Sequence, residues 1–222
     1  MSARDTVLGK IRRSLHVTGT EPTRNATVDE RLRRAPKGVI PARGQLPQEE
    51  RIALFTKMAE KISSSVTRIA SAAMLPESVA DFLRAHNLPS ALRMGDDPLL
   101  REQPWSRTPI DVKRGPSDGT DEVGLSHALT AVAESGTLVL TSGRDNPTTI
   151  NFLPETHIVA VRAEDIVGDY ETAFERIRAR YGKGYLPRTV NFVTGPSRSG
   201  DIEQKILLGA HGPRRLHIIV IG

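Results

Sequence analysis

Three short segments of this sequence hold residue types that could do chemistry. Ala133-Glu134-Ser135-Gly136-Thr137 leads directly into an apolar stretch, Leu138–Leu140. A carboxyl group beside a sheet is desolvated, which raises its pKa or leaves it free to act as a nucleophile. Glu134 is therefore a candidate catalytic residue, with Ser135, Gly136 and Thr137 as ligand contacts. The alternative is a tight turn in which Gly136 takes the unusual backbone angles. The second segment runs from Gly195 through Pro196, Ser197, Arg198, Ser199, Gly200 and Asp201 to Glu203. Hydroxyls, a guanidinium and glycine-flanked N–H groups make an anion cradle of Gly195, Ser197, Arg198, Ser199 and Asp201. The planar fork of Arg198 suits a carboxylate or phosphate. Asp201 and Glu203 could instead pair with Arg198 and satisfy the loop internally. The third segment is Ala210-His211-Gly212-Pro213-Arg214-Arg215. There His211 is a candidate general acid or base, and Arg214 a second anion contact. Its alternative is a turn with His211 bonded to backbone. A fourth, polar loop after Leu138–Leu140 adds Ser142 and Arg144 to the candidate ligand contacts.

Several familiar sites are missing. The sequence has no GxGxxG, no phosphate-binding P-loop and no GxSxG elbow. Its six histidines form neither HExxH nor a tight pair, so no metal site is expected. There is no cysteine, which removes thiolate nucleophiles, disulfides and thiolate-held iron–sulfur clusters.

The elements that must position these segments read as alternating helices and strands. Ile52, Phe55, Ala59 and Ile62 share one helical face, and Pro76 opens a second helix through Val79, Phe82 and Leu83. Tyr170, Ala173, Phe174, Ile177 and Tyr181 line a third, and Ser126–Ala133 also reads as helical. Strands are expected at Thr67–Ala72, Ala91–Met94, Ile110–Val112, Leu138–Leu140, Ile158–Val161, Val190–Val193 and Leu216–Ile221. Near-continuous apolar runs suit strands covered on both faces. The fold class is therefore α/β, a mainly parallel sheet with helices on both faces. Ligands in such folds sit beyond the carboxyl ends of strands.

All the net positive charge lies near the start. Residues 1–51 carry 11 Lys/Arg against 6 Asp/Glu, whereas 52–222 balance at 20 each. We divide the chain into a basic N-terminal arm and linker, 1–47, and an α/β domain, 48–222. Val7, Leu8, Ile11 and Leu15 give the arm a short amphipathic helix, and 18–47 reads as linker with at most one short helix. The arm lacks the aromatics of a single-strand binder, so nucleic acid is not the expected partner. No apolar run reaches the roughly 20 residues of a membrane span. With no signal-peptide pattern and no cysteine, the expected compartment is cytoplasmic.

Taken in order, AESGTLVLTS, NFLPETHIVAV, FVTGPSRSGDIE and GAHGPRRLHIIVIG resemble the lactate utilization protein C family, whose domain is the LUD domain. The resemblance is close over residues 123–222 and looser from Gln48. It implies a Rossmann-like fold of the NagB/RpiA/CoA-transferase group. It also implies a role in bacterial oxidation of L-lactate to pyruvate, beside A- and B-type iron–sulfur partner subunits. The clusters are then expected in the partners, with no cofactor on this chain and a small anionic ligand as its own. CoA-transferases use a glutamate followed by a small residue and glycine, which Glu134-Ser135-Gly136 is similar to. Glu134, Arg198 and His211 are thus expected to face one pocket. The alternatives are a self-sufficient enzyme acting on a small carboxylate or acyl-CoA, or a regulatory nucleic-acid binder using the arm.

Overall fold

The computed structural model describes residues 2–202, 205–209 and 211–222, with side chains described outside 200–208. The chain forms two compact units that meet between Val39 and Ile40. The first holds helices α1 (Ala3–Ser14) and α2 (Pro22–Arg34), neither with a buried residue. Ser2 starts α1 with a capping box, its hydroxyl accepting from the Asp5 N–H. The 13-residue α2 is longer than the single short helix expected in the linker. Pro22 stands at its first turn, where a proline is harmless, and Pro36 lies past its end. Both prolines bound the helix rather than break it.

The second unit is built on a six-stranded parallel sheet. Its strands are β1 (Ser65–Ile69), β2 (Ala91–Met94), β3 (Asp111–Arg114), β4 (Val123–His127), β7 (Thr156–Arg162) and β12 (Arg215–Ile221). They lie in the order β1-β12-β7-β4-β2-β3. Between them in sequence come β5 (Thr130–Val132), β6 (Thr137–Thr141), β8 (Ile166–Val167) and β9 (Val190–Val193), which form a second sheet in the order β8-β5-β6-β9. A hairpin of β10 (Arg198–Ile202) and β11 (Lys205–Leu208) stands apart. The helices are α3 (Gln48–Lys61), α4 (Leu75–Ala85), α5 (Pro98–Arg101), α6 (Thr148–Phe152) and α7 (Tyr170–Tyr181).

Side-chain alternation along β7 shows how the layers stack. Ile158 and Ala160 pack with Leu75, Val79, Phe82 and Leu83 of α4. Val159 and Val161 face the other way, against Ile52, Phe55 and Ala59 of α3 and Leu138 and Leu140 of β6. The far side of the second sheet, Val132 and Val139, packs on Ala173 and Ile177 of α7. The parallel sheet is thus covered by helices on one face, and by a helix and a second sheet on the other. Each fully buried Leu, Val or Phe in these layers contributes about 1.5–3 kcal/mol. The helix expected over Ser126–Ala133 is instead the end of β4, a turn and β5. Every residue from Val123 to Ala133 except His127 and Leu129 is buried, so the apolar spacing carried no facial signal.

α7 is fixed at its start by Asp169, 3% exposed, whose carboxylate accepts from the Thr172 N–H at 2.9 Å and from Gln45 Nε2 at 2.9 Å. Asp169→Ala removes the cap and strands the Gln45 amide. We expect a loss of about 1–2 kcal/mol in urea unfolding, with Asp169→Asn recovering most of it.

Candidate functional site

The GPSR and HGPR segments come together. Ser197 joins them: its N–H donates to the Pro213 carbonyl at 2.8 Å, its carbonyl accepts from the Gly209 N–H at 3.0 Å, and its hydroxyl accepts from the His211 N–H at 3.2 Å. The turn before it rests on α3. Gly195 has φ +79°, and a Cβ there would lie 2.7 Å from the Ile62 carbonyl oxygen. Arg198 reaches the same helix end, its Nη2 donating to Ile62 O at 2.8 Å and Ser63 Oγ at 2.6 Å. A cation at a helix C-terminus meets the negative end of the macrodipole. Both contacts use Nη2, so the other edge of the fork is not spent on them.

Between these loops lies a cleft of about 290 Å³, with Gly195, Ser197, Arg198 and His211 among its walls. It opens at the amino ends of β7 and β12, where His157 and Leu216 are second residues. The carboxyl-end location expected from the fold class does not hold for it. Two lining residues were missed in the sequence, Asn151 of α6 and His157 of β7, exposed by 1% and 0%. They meet through Ser126, whose hydroxyl donates to Asn151 Oδ1 at 3.0 Å and lies 2.9 Å from His157 Nε2. The hydroxyl proton being used, His157 Nε2 carries its own proton and donates it to Ser126. Burial pushes the His157 pKa down to about 3, so the ring is neutral. His157 Nδ1 and Asn151 Nδ2 are left buried with no hydrogen-bond partner among the described residues. In a folded protein such groups mark a place for a ligand or water. No motif spacing announces the trio, because residues 126, 151 and 157 meet only through the strand order.

The other expected site residues are distributed differently. Glu134 is 4% exposed and is not among the residues lining the cleft. Its Oε2 lies 3.6 Å from Arg43 Nε, and its N–H donates to Gly168 O. The expected grouping of Glu134 with Arg198 and His211 is therefore divided: the last two share a cleft and the first does not. Gly136 is a packing glycine against Ala59 of α3. Ser135 and Thr137 share a hydroxyl cluster with Tyr170, and Thr137 also reaches Thr194 on the cleft wall at 2.8 Å. Ser142 clasps Thr189 by two hydrogen bonds, and Arg144, exposed, accepts from the Asp96 N–H through its carbonyl. Arg214 points to Glu155 at 3.4 Å. Ser199 pairs with Leu207 in the β10–β11 hairpin, so the segment read as a loop is a strand from Arg198 onward. The Asp201 side chain lies outside the described residues, as does Glu203. Among the described residues no group of three His, Cys, Asp or Glu is placed to hold a metal ion.

Residues 117–221, from just before β4 through β12, match the family model of the LUD domain. The matched segment, just under half of the chain, resembles a LUD domain. It carries all the cleft's walls, while Ile62 and Ser63 behind Arg198 and Gly195, just past α3, lie outside it. Proteins named lactate utilization protein C are similar over part of the chain. The one from Geobacillus sp. (strain WCH70) is 41% identical over 100 residues, 45% of this chain and 42% of the relative. The one from Bacillus subtilis (strain 168) is 33% identical over 131 residues, 55% of each. The match thus spans about half the length of these curated relatives. The crystal structure of a DUF162 family protein from Deinococcus radiodurans superposes with a TM-score of 0.61 at 26% identity, over 80% of this chain and 99% of that one. Its likeness extends beyond the LUD segment into the preceding helices and strands. No helix among the described residues is long and apolar enough to cross a membrane.

Proposed function

We propose that this chain serves L-lactate oxidation to pyruvate as a cluster-free component, acting with A- and B-type iron–sulfur partner proteins, and that its LUD cleft binds a small carboxylate. The name shared by the relatives supports the pathway. A chain without cysteine offers no thiolate for a cluster, which suits a division of labour with cysteine-rich partners.

The observation that carries the ligand class is the buried Asn151 amide. Its N–H groups have no acceptor among the described residues, and it lies on the lining of a cleft walled by Arg198, Ser197 and His211. A carboxylate brings two acceptor oxygens to this donor-rich site, one edge for the Arg198 fork and one for the amide. His157 is neutral and carries no charge into the cleft floor.

Calorimetric titration of the full chain with L-lactate and with propionate tests the ligand. Both should bind, and Arg198→Ala should weaken both by about tenfold or more, the scale of one charged hydrogen bond. Equal affinity in the variant overturns the carboxylate reading. Growth on L-lactate of a strain lacking the gene, restored by the wild-type chain, tests the pathway separately.

A further inference from the structure

The opposite end of the parallel sheet holds a different arrangement. From the carboxyl end of β2 the chain moves outward to β3, and from that of β4 it moves the other way, to β7. The strand order therefore reverses between β2 and β4. Crevices at such reversals receive ligands, because neither loop crosses over them. Asp97, three residues past β2, and His127, the last residue of β4, meet in this crevice, with His127 Nδ1 3.0 Å from Asp97 Oδ2. A carboxylate only accepts, so Nδ1 bears the proton. Burial opposes ionisation of Asp97. The His127 N–H and the backbone N–H groups of Leu100 and Leu99 outweigh it and hold the carboxyl below its ordinary value.

The remaining ring nitrogen, His127 Nε2, is buried and has no partner among the described residues. His127 lines a cavity of about 460 Å³ that Thr141, Asn146 and Tyr181 also line. Asn146, 5% exposed, donates from Nδ2 to Thr141 O at 3.2 Å, and its Oδ1 has no partner either. Tyr181 O–H is already given to Thr141 Oγ1 at 2.8 Å. Besides Asp97, the charged groups on the same cavity are Asp145, Asp165, Arg176 and Arg180, of which Asp165 is bound to Arg176. Two buried acceptors thus lack donors among the described residues.

We propose that this crevice is a second small-molecule site, for a neutral hydroxylated ligand whose O–H groups donate to His127 Nε2 and Asn146 Oδ1. A hydroxyl fits either state of the ring, accepting from the imidazolium or donating to the imidazole. An ammonium fits only the neutral ring. A carboxylate brings no donor and meets the Asp97 and Asp145 charges. Asp97 is the positioning residue, fixing the tautomer that turns a lone pair toward the ligand. The site does not depend on the carboxylate reading of the cleft.

The test follows histidine-ring ¹⁵N resonances of the full chain, with His127 assigned through His127→Gln. The hydroxyl probe is D-ribose, and the control is tetrahydrofuran, a similar ring without hydroxyls. We expect Nδ1 to be the protonated nitrogen of His127, D-ribose to move the Nε2 resonance, and tetrahydrofuran to leave it. Asp97→Asn should release the tautomer and weaken D-ribose by about tenfold or more, and Asn146→Leu should weaken it similarly without touching the tautomer. No response to D-ribose, an equal response to tetrahydrofuran, or wild-type affinity in Asn146→Leu overturns the proposal. Propionate should move His211 and not His127, so loss of either response is read independently of the other.

Discussion

Gly136→Ala is expected to destabilise the second unit by about 3 kcal/mol or more, seen as a fall of roughly 6–12 °C in the thermal midpoint. Two effects add at this position. Gly136 has φ +68°, a left-handed conformation that an L side chain resists. A Cβ there would also lie 2.5 Å from Ala59 N and 2.7 Å from Met58 C. Those are backbone atoms of α3, whose Phe55 and Ala59 are fully buried, so they cannot swing aside as a side-chain tip would. Gly119→Ala is the matched control: φ is +96°, but nothing lies within 4 Å. It should lose only the backbone share, on the order of 1–2 kcal/mol. Equal midpoints for the two variants would mean that α3 yields to the turn, and the packing argument would fail.

The second large effect is acid destabilisation above the carboxylate range. Burial lowers the pKa of His157 to about 3. Burial also lowers that of His217 to about 4, helped by the nearby His86 charge and opposed by the ring's hydrogen bond to the Ser65 backbone. In the unfolded chain both rings take a proton near pH 6.5. The folded state then binds fewer protons than the unfolded one. Stability is therefore lost as pH falls below 6.5, continuing to about 4 for His217 and about 3 for His157. Between pH 6.5 and 5 each ring contributes a loss of about 2 kcal/mol. Urea unfolding across that interval measures it. His157→Gln should lower the pH slope by about one proton, and an unchanged slope would mean that the folded state accepts a proton at His157.

What the sequence could and could not reveal follows the range over which each signal acts. α3, α4 and α7 were legible because one face is apolar and the other is not. β2, β7, β9 and β12 were legible as apolar runs between turn residues. The parallel central sheet followed from their alternation. β4 and β5 were not legible: Leu125, Ala128, Leu129 and Val132 stand at helical spacing, but burial on every side erases periodicity. The division into two sheets was equally hidden, since β6 reads the same beside a parallel or an antiparallel neighbour. In the candidate site, Arg198 and His211 stood out because unusual turn chemistry surrounds them, and the structure brings them together. Asn151, His157, Asp97 and Asn146 stood out from nothing around them. The three contacts that place Asn151, His157 and Asp97, namely Ser126–Asn151, Ser126–His157 and His127–Asp97, span 25, 31 and 30 residues. Only the strand order brings such residues into reach.

Ser126 and His127 are consecutive residues of β4, and successive side chains of a strand point to opposite faces. One serves the Asn151–His157 cluster and the other the Asp97 pair. A single-residue deletion inside β4 would exchange their faces, sending the imidazole toward Asn151 and the hydroxyl toward Asp97. Both polar clusters would then be lost through one lesion that substitutes no residue in either. The strand is in that sense a reading frame, and insertions or deletions are tolerable only in the loops that bracket it.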